Sequence, residues 1–133
     1  MRKIENDDEA EVVIDTLKQD QRIVVETKDG VHAIKMSDIL YIEIQTRKKL
    51  IYTKDEFYIS TKPVEYWMNQ LNGKSFFRSH RNYIVNMKYV TDFDRESIAL
   101  CHGEYRTYLA RRRYKDFKDA YLQYLKDGRE VLN

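Results

Sequence analysis

The run SFFRSHRNYIVN, Ser75 to Asn86, decides how this chain is read. Two adjacent phenylalanines lead into Arg78, Ser79, His80, Arg81 and Asn82, and the chain then returns to Tyr83, Ile84 and Val85. The apolar ends call for burial, while the cations between them have no carboxylate close by in the sequence. Burying unpaired cations is very costly. The run is therefore expected to be anchored in a core at both ends, with its middle turned toward something anionic.

The surrounding sequence predicts short strands. RIVVETK and VHAIK flank Asp29-Gly30, a dipeptide that favours a hairpin. ILYIEI, KLIYT and EFYIST follow as Ile- and Tyr-rich runs, and NYIVNMKYV, SIALCH and EYRTYLA read as further strands, the last two joined at His102-Gly103. Two segments switch to helical spacing. After Pro63, residues Val64, Trp67, Met68 and Leu71 fall on one face, with Asn72-Gly73 as the stop. Tyr114, Phe117, Tyr121, Tyr124 and Leu125 do the same toward the C-terminus, with Gly128 as the expected C′ residue. Before the first strand, Ala10, Val13, Ile14 and Leu17 predict an amphipathic helix with acids in its first turn. The expected architecture is mostly β with short helices, arranged as small antiparallel sheets plus a C-terminal helix and an N-terminal amphipathic helix. Residues 1–20 form an acidic leader and 21–133 one domain.

The 133 residues suffice for a hydrophobic core without disulfide or metal support. The single cysteine, Cys101, excludes an intrachain disulfide and any cysteine-based zinc cluster, and no long apolar run is present. A cytoplasmic protein with no membrane segment is expected. The net charge is only +2, yet it is segregated: residues 1–20 hold seven acids and three bases, leaving 21 bases against 15 acids in the rest. There is no glycine-rich phosphate loop, no HExxH, no paired-cysteine spacing and no GxSxG turn, so no catalytic site, cofactor or metal is expected.

Three segments are basic and free of acids: Gln45–Lys54, Tyr66–Thr91 and Tyr105–Lys115. In each the bases cluster at a junction between elements, where a loop leaves them exposed. If the junctions meet on one side of the sheet, they form an Arg-rich face suited to polyanions, because the planar guanidinium fork fits two phosphate oxygens or the guanine O6/N7 edge. Plainer readings stand beside this one. Arg47-Lys48-Lys49 also suits a soluble hairpin tip, and Arg78 or Arg81 also suits an ion pair with Asp92 or Asp94. His80 alone reads as an ordinary hydrogen-bonded histidine, and Cys101 beside His102 as a buried, inert thiol on a strand. Cations that open a helix, as Arg111–Arg113 do, oppose its dipole and call for a partner.

FFRSHRNYIVN, preceded by DILYIE (Asp38–Glu43) and followed by LARRR (Leu109–Arg113), resembles the LytTR DNA-binding domain of bacterial transcription regulators, from about Arg22 to about Leu125. The resemblance implies a mostly β fold that reads the major groove with loops, binding to paired direct repeats in promoters, and a homodimer on DNA. It also implies a receiver domain or upstream sensor as partner, with the chain either standing alone or forming the output half of a longer regulator. Carried over residue by residue, it puts Arg47, Lys48 and Lys49 in a first contact loop, with Lys48 and Lys49 not separable. In the second, Arg81 reads bases while Arg78, Ser79, His80 and Asn82 lie near phosphates. In the third, Arg112 reads bases and Arg111 or Arg113 holds the backbone; Ala110 stands where the family often has Ser, leaving Arg111 and Arg112 open to exchange. Phe77, Ile84 and Val85 become core anchors. The alternative from another class is a protein-interaction module whose basic face docks an acidic partner.

Overall fold

The computed structural model describes residues 21–71 and 75–132. The leader helix expected before residue 21 and the Asn72-Gly73 stop lie outside the described residues. In chain order the elements are β1 (Arg22–Thr27), β2 (Gly30–Lys35), β3 (Tyr41–Ile44), β4 (Lys49–Tyr52), β5 (Phe57–Ser60), α1 (Val64–Leu71), β6 (Phe76–His80), β7 (Tyr83–Asn86), β8 (Val90–Phe93), β9 (Ser97–Leu100), β10 (Tyr105–Tyr108) and α2 (Tyr114–Leu132). All strand pairs are antiparallel, in a β1-β2 hairpin, a five-stranded sheet of order β5-β4-β3-β7-β6 and a three-stranded sheet of order β10-β9-β8.

The five-stranded sheet separates two cores, and strand alternation decides which residue enters which. Ile42, Ile51 and Ile84 point to one side, where they pack with Ile23, Val25 and Ile34 of the first hairpin and with Trp67 and Leu71 of α1. Their neighbours Tyr41, Tyr52 and Val85 point to the other, against Ile98 and Leu100 of β9 and Phe117 of α2. Trp67 is fully buried and donates its indole N–H to Ser60 Oγ at 3.3 Å, so the helix face read from the sequence docks as expected. In α2, Phe117 is fully buried, Tyr114, Tyr121 and Tyr124 pack partly against the core it belongs to, and Leu125 stays exposed.

The structure departs from the sequence reading in three places. NYIVNMKYV is two strands in different sheets, split by a 3₁₀ turn at Met87–Tyr89. The break is caused by buried Asn86, whose side-chain oxygen accepts from Lys88 N and Ser75 Oγ while its amide donates to Ile39 O. SIALCH stops at Leu100, and Cys101 and His102 lie in the tight connection to β10 with left-handed φ of 53° and 59°. Cys101 is therefore a half-buried turn residue, although burial still pushes its thiol pKa up. Gly128 does not end α2, which runs on to Leu132. An interior glycine costs a helix only about 1 kcal/mol, which neighbouring turns can outweigh.

Candidate nucleic-acid interface

The opening run folds as a hairpin, with β6 and β7 joined by Arg81 and Asn82. Phe77 pairs with Val85 and His80 with Tyr83, so the register shifts between them and Arg78-Ser79 form a bulge. A bulge re-aims the side chains it carries. Ile84 and Val85 are fully buried and Phe77 packs partly on Phe117, with ring centroids 5.3 Å apart. These are the anchors expected at the apolar ends.

Arg78 is half-buried. Its Nη2 donates to the carbonyl of Arg81 at 2.7 Å, closing the turn from below, and its Nε is buried with no hydrogen-bond partner among the described residues. The proposed ion pair of Arg78 or Arg81 with Asp92 or Asp94 does not form. Asp94 instead accepts from the backbone N–H groups of Glu96 and Ser97, which holds its carboxyl below the usual carboxylate range. Ser79 is fully buried and donates to Tyr108 O at 2.9 Å. This corrects its expected place near a phosphate: the bulge turns it inward, where it ties β6 to β10. His80 accepts the Asn82 N–H on Nδ1 at 3.1 Å and meets Tyr83 edge-on, while Arg81 and Asn82 are exposed at the tip.

The first basic junction is pinned to this turn, because Ile44 N donates to Asn82 O at 2.7 Å. Its loop closes through Gln45 N to Lys48 O at 2.9 Å, leaving Arg47 and Lys48 exposed. Lys49 belongs to β4 opposite Ser60 and is only 8 % exposed, which removes it from the loop tip and separates it from Lys48. Beneath the loop, Glu43 accepts from Gln45 and from the Tyr83 hydroxyl. Burial first, and Glu43 second, push the Tyr83 pKa up to about 12.

The third junction is pinned to the same hairpin from the other side. Ala110 N donates to Ser79 O at 2.9 Å, and Arg113 Nε donates to Arg78 O at 3.4 Å. Arg111–Arg113 form a 3₁₀ turn ahead of α2, and the three arginines have different fates. Arg111 pairs with Glu96 on an exposed surface. Arg113 lies 4.7 Å above the Phe77 ring and reaches Asp116 at 3.3 Å. Arg112 is exposed and makes no hydrogen bond or ion pair among the described residues. Glu96, Glu43 and Asp116, which engage these junctions, were not singled out from the sequence. Asp116 carries a local signal, an acid three residues after Arg113 in a helix; the other two depend on pairings between distant strands.

Two shallow grooves result. One runs between the first loop and the β6-β7 turn, past Thr46 and Lys49; the other runs between that turn and Arg112. Arg78 and Arg81 line both, so the three basic junctions do meet on one side of the molecule. Among the described residues no cluster of metal-binding side chains is found, and no helix is long and apolar enough to cross a membrane.

The chain is 27 % identical over 122 residues to the transcriptional regulatory protein LytR of Staphylococcus aureus, covering 87 % of this chain and 50 % of that protein. It is 31 % identical over 72 residues to the transcriptional regulatory protein NatR of Bacillus subtilis, covering 54 % and 31 %. The chain thus spans about half the length of the LytR proteins it matches. A solved LytTr DNA-binding domain from Bacillus cereus has the same fold, with a TM-score of 0.64 at 20 % identity over 75 % of this chain and 95 % of that one. The family model described as the LytTr DNA-binding domain matches residues 29–122, and the chain belongs to that family.

Proposed function

We propose that this chain binds double-stranded DNA sequence-specifically and is the DNA-reading part of a bacterial transcription regulator acting in the cytoplasm. The observation that carries this reading is the convergence of three basic junctions around Arg81, on a chain whose family is named for DNA binding. Arg81, Arg112 and Lys48 are exposed at the three tips and enter the major groove, with Arg112 and Arg81 each offering a bidentate fork to guanine. Arg47, Asn82 and the Nε2–H of His80, whose Nδ1 accepts from Asn82 N, lie beside them and hold phosphates. Arg111 is partly neutralised by Glu96, which favours Arg112 as the base reader. Two copies bind paired direct repeats, and a receiver domain or upstream sensor supplies the signal.

The test is selection of bound sites from a random duplex library, followed by salt-dependent mobility shifts on the selected site and a scrambled one. Phosphate-driven affinity falls with a log-log slope of about −0.9 per phosphate neutralised. Recovery of a paired repeat, bound more tightly than the scrambled duplex at matched salt, supports the proposal. Absence of binding to any duplex at low salt rejects it and leaves the basic face to an acidic protein partner.

A further inference from the structure

Arg78 stands at the centre of the basic face, yet its contacts run into the protein. Its Nη2 donates to Arg81 O at 2.7 Å, its own carbonyl accepts from Arg113 Nε at 3.4 Å, and its Nε is sealed from solvent. The adjacent Ser79 receives Ala110 N at its carbonyl and gives its hydroxyl to Tyr108 O, both at 2.9 Å. The bulge therefore places two consecutive residues where one clasps the β6-β7 turn and both clasp the Ala110–Arg113 turn.

We infer that Arg78 is a positioning residue that sets Arg81 and Arg112 for base reading and makes no DNA contact of its own. Its guanidinium holds the Arg81 backbone carbonyl and so determines the height at which the Arg81 side chain leaves the turn. Its carbonyl and that of Ser79 hold the two ends of the segment that carries Arg112. Bidentate guanine contacts tolerate little displacement of the fork, so loosening the clasp reduces discrimination before it reduces charge attraction. A cation engaged this way adds its charge to the surface potential without displacing a counterion at one particular phosphate.

This inference rests on the DNA-reading function proposed above. The experiment titrates the full chain, Arg78→Met, Arg81→Met and the double variant against a selected and a scrambled duplex across a range of salt. Arg78→Met is expected to lose about tenfold or more on the selected duplex and little on the scrambled one, with the salt slope unchanged. Placed on Arg81→Met, it is expected to cost less than it does in the wild-type chain, because the part of its effect that runs through Arg81 is already gone and only the part through Arg112 remains. Equal losses on both duplexes, a slope shallower by about 0.9 and additive effects would identify a phosphate contact and overturn the inference. A second measurement needs no variant. The Arg78 Nη protons of the wild-type chain, followed by NMR, are expected to exchange slowly without DNA and to stay unshifted when the selected duplex is added. Rapidly averaged Arg78 protons in the free chain overturn the inference even where Arg78→Met fails to fold. A wild-type chain that does not distinguish the two duplexes overturns the proposed function and this inference with it; failure of the cycle with wild-type specificity intact overturns the inference alone.

Discussion

Arg111, Arg112 and Arg113 show how one residue type, repeated three times, divides into three roles by contact. Arg113 is held over Phe77 and by Asp116, Arg111 is paired with Glu96, and Arg112 projects unengaged among the described residues. Replacing Arg112 with Lys keeps the charge and removes the fork. Specific binding is expected to fall by about 1 to 3 kcal/mol while binding to scrambled DNA barely changes, measured by paired titrations at one salt concentration. Tyr83 supports a second prediction. Its pKa is raised from 10.0 to about 12 by burial and by Glu43, so the folded state holds the phenolic proton more tightly than the unfolded chain does. The corresponding stability is complete below about pH 10 and is lost as pH rises toward 12. Tyr83→Phe should therefore flatten the alkaline fall in the urea midpoint; an unchanged alkaline limb would assign the fall to other tyrosines such as Tyr41, also raised by burial. At this scale the sequence was legible for apolar anchors, because burial follows from side-chain type. It was not legible for Ser79 or Lys49, whose burial depends on a bulge and on where a loop ends and its strand begins.

Among the elements, the turn from Asp94 to Ser97 carries Glu96 to the third junction, with Leu109 N bound to Glu96 O at 2.9 Å. Glu96→Gln leaves that backbone contact in place and releases Arg111. The expected result is tighter non-specific DNA binding with a salt slope steeper by up to about 0.9; an unchanged slope would show that Arg111 stays off the phosphates even when free. Helix α2 offers an independent test of the extended reading of its C-terminus. A Cβ at Gly128 meets nothing within 4 Å, so Gly128→Ala is expected to stabilise the chain by about 0.5 to 1 kcal/mol, seen as a rise in thermal midpoint. No gain would indicate that the helix end is frayed in solution. Element types were readable from period-2 and helical spacing, as Trp67 on α1 and Phe117 on α2 illustrate. Element ends were less so: Asn86 breaks a strand through hydrogen bonds to residues as distant as Ile39, and Gly128 resembles a stop signal inside a helix.

For the whole molecule, the segregation of charge in the sequence carries a prediction. Removing the acidic residues 1–20 is expected to leave a folded chain with DNA affinity equal or higher, since seven acids and only three bases go with them. A truncated chain that fails to fold would place Val13, Ile14 and Leu17 in the core. The convergence of the three basic junctions was foreseeable only as a condition, because it depends on strand order. That order makes β3 the middle strand of the five-stranded sheet, flanked on one side by β4, which follows it almost at once, and on the other by β7, with Glu43 opposite Tyr83 at a separation of 40 residues. A ribosome adding about 5 to 20 residues per second needs roughly 2 to 8 seconds to supply that partner. Throughout this interval a nascent β3-β4-β5 sheet presents one open row of N–H and C=O groups on β3, able to pair with a neighbouring chain. The hairpin that carries Arg81 at its tip is thus also the one that covers the open edge of β3, and slower initiation or lower synthesis density should favour recovery of soluble protein.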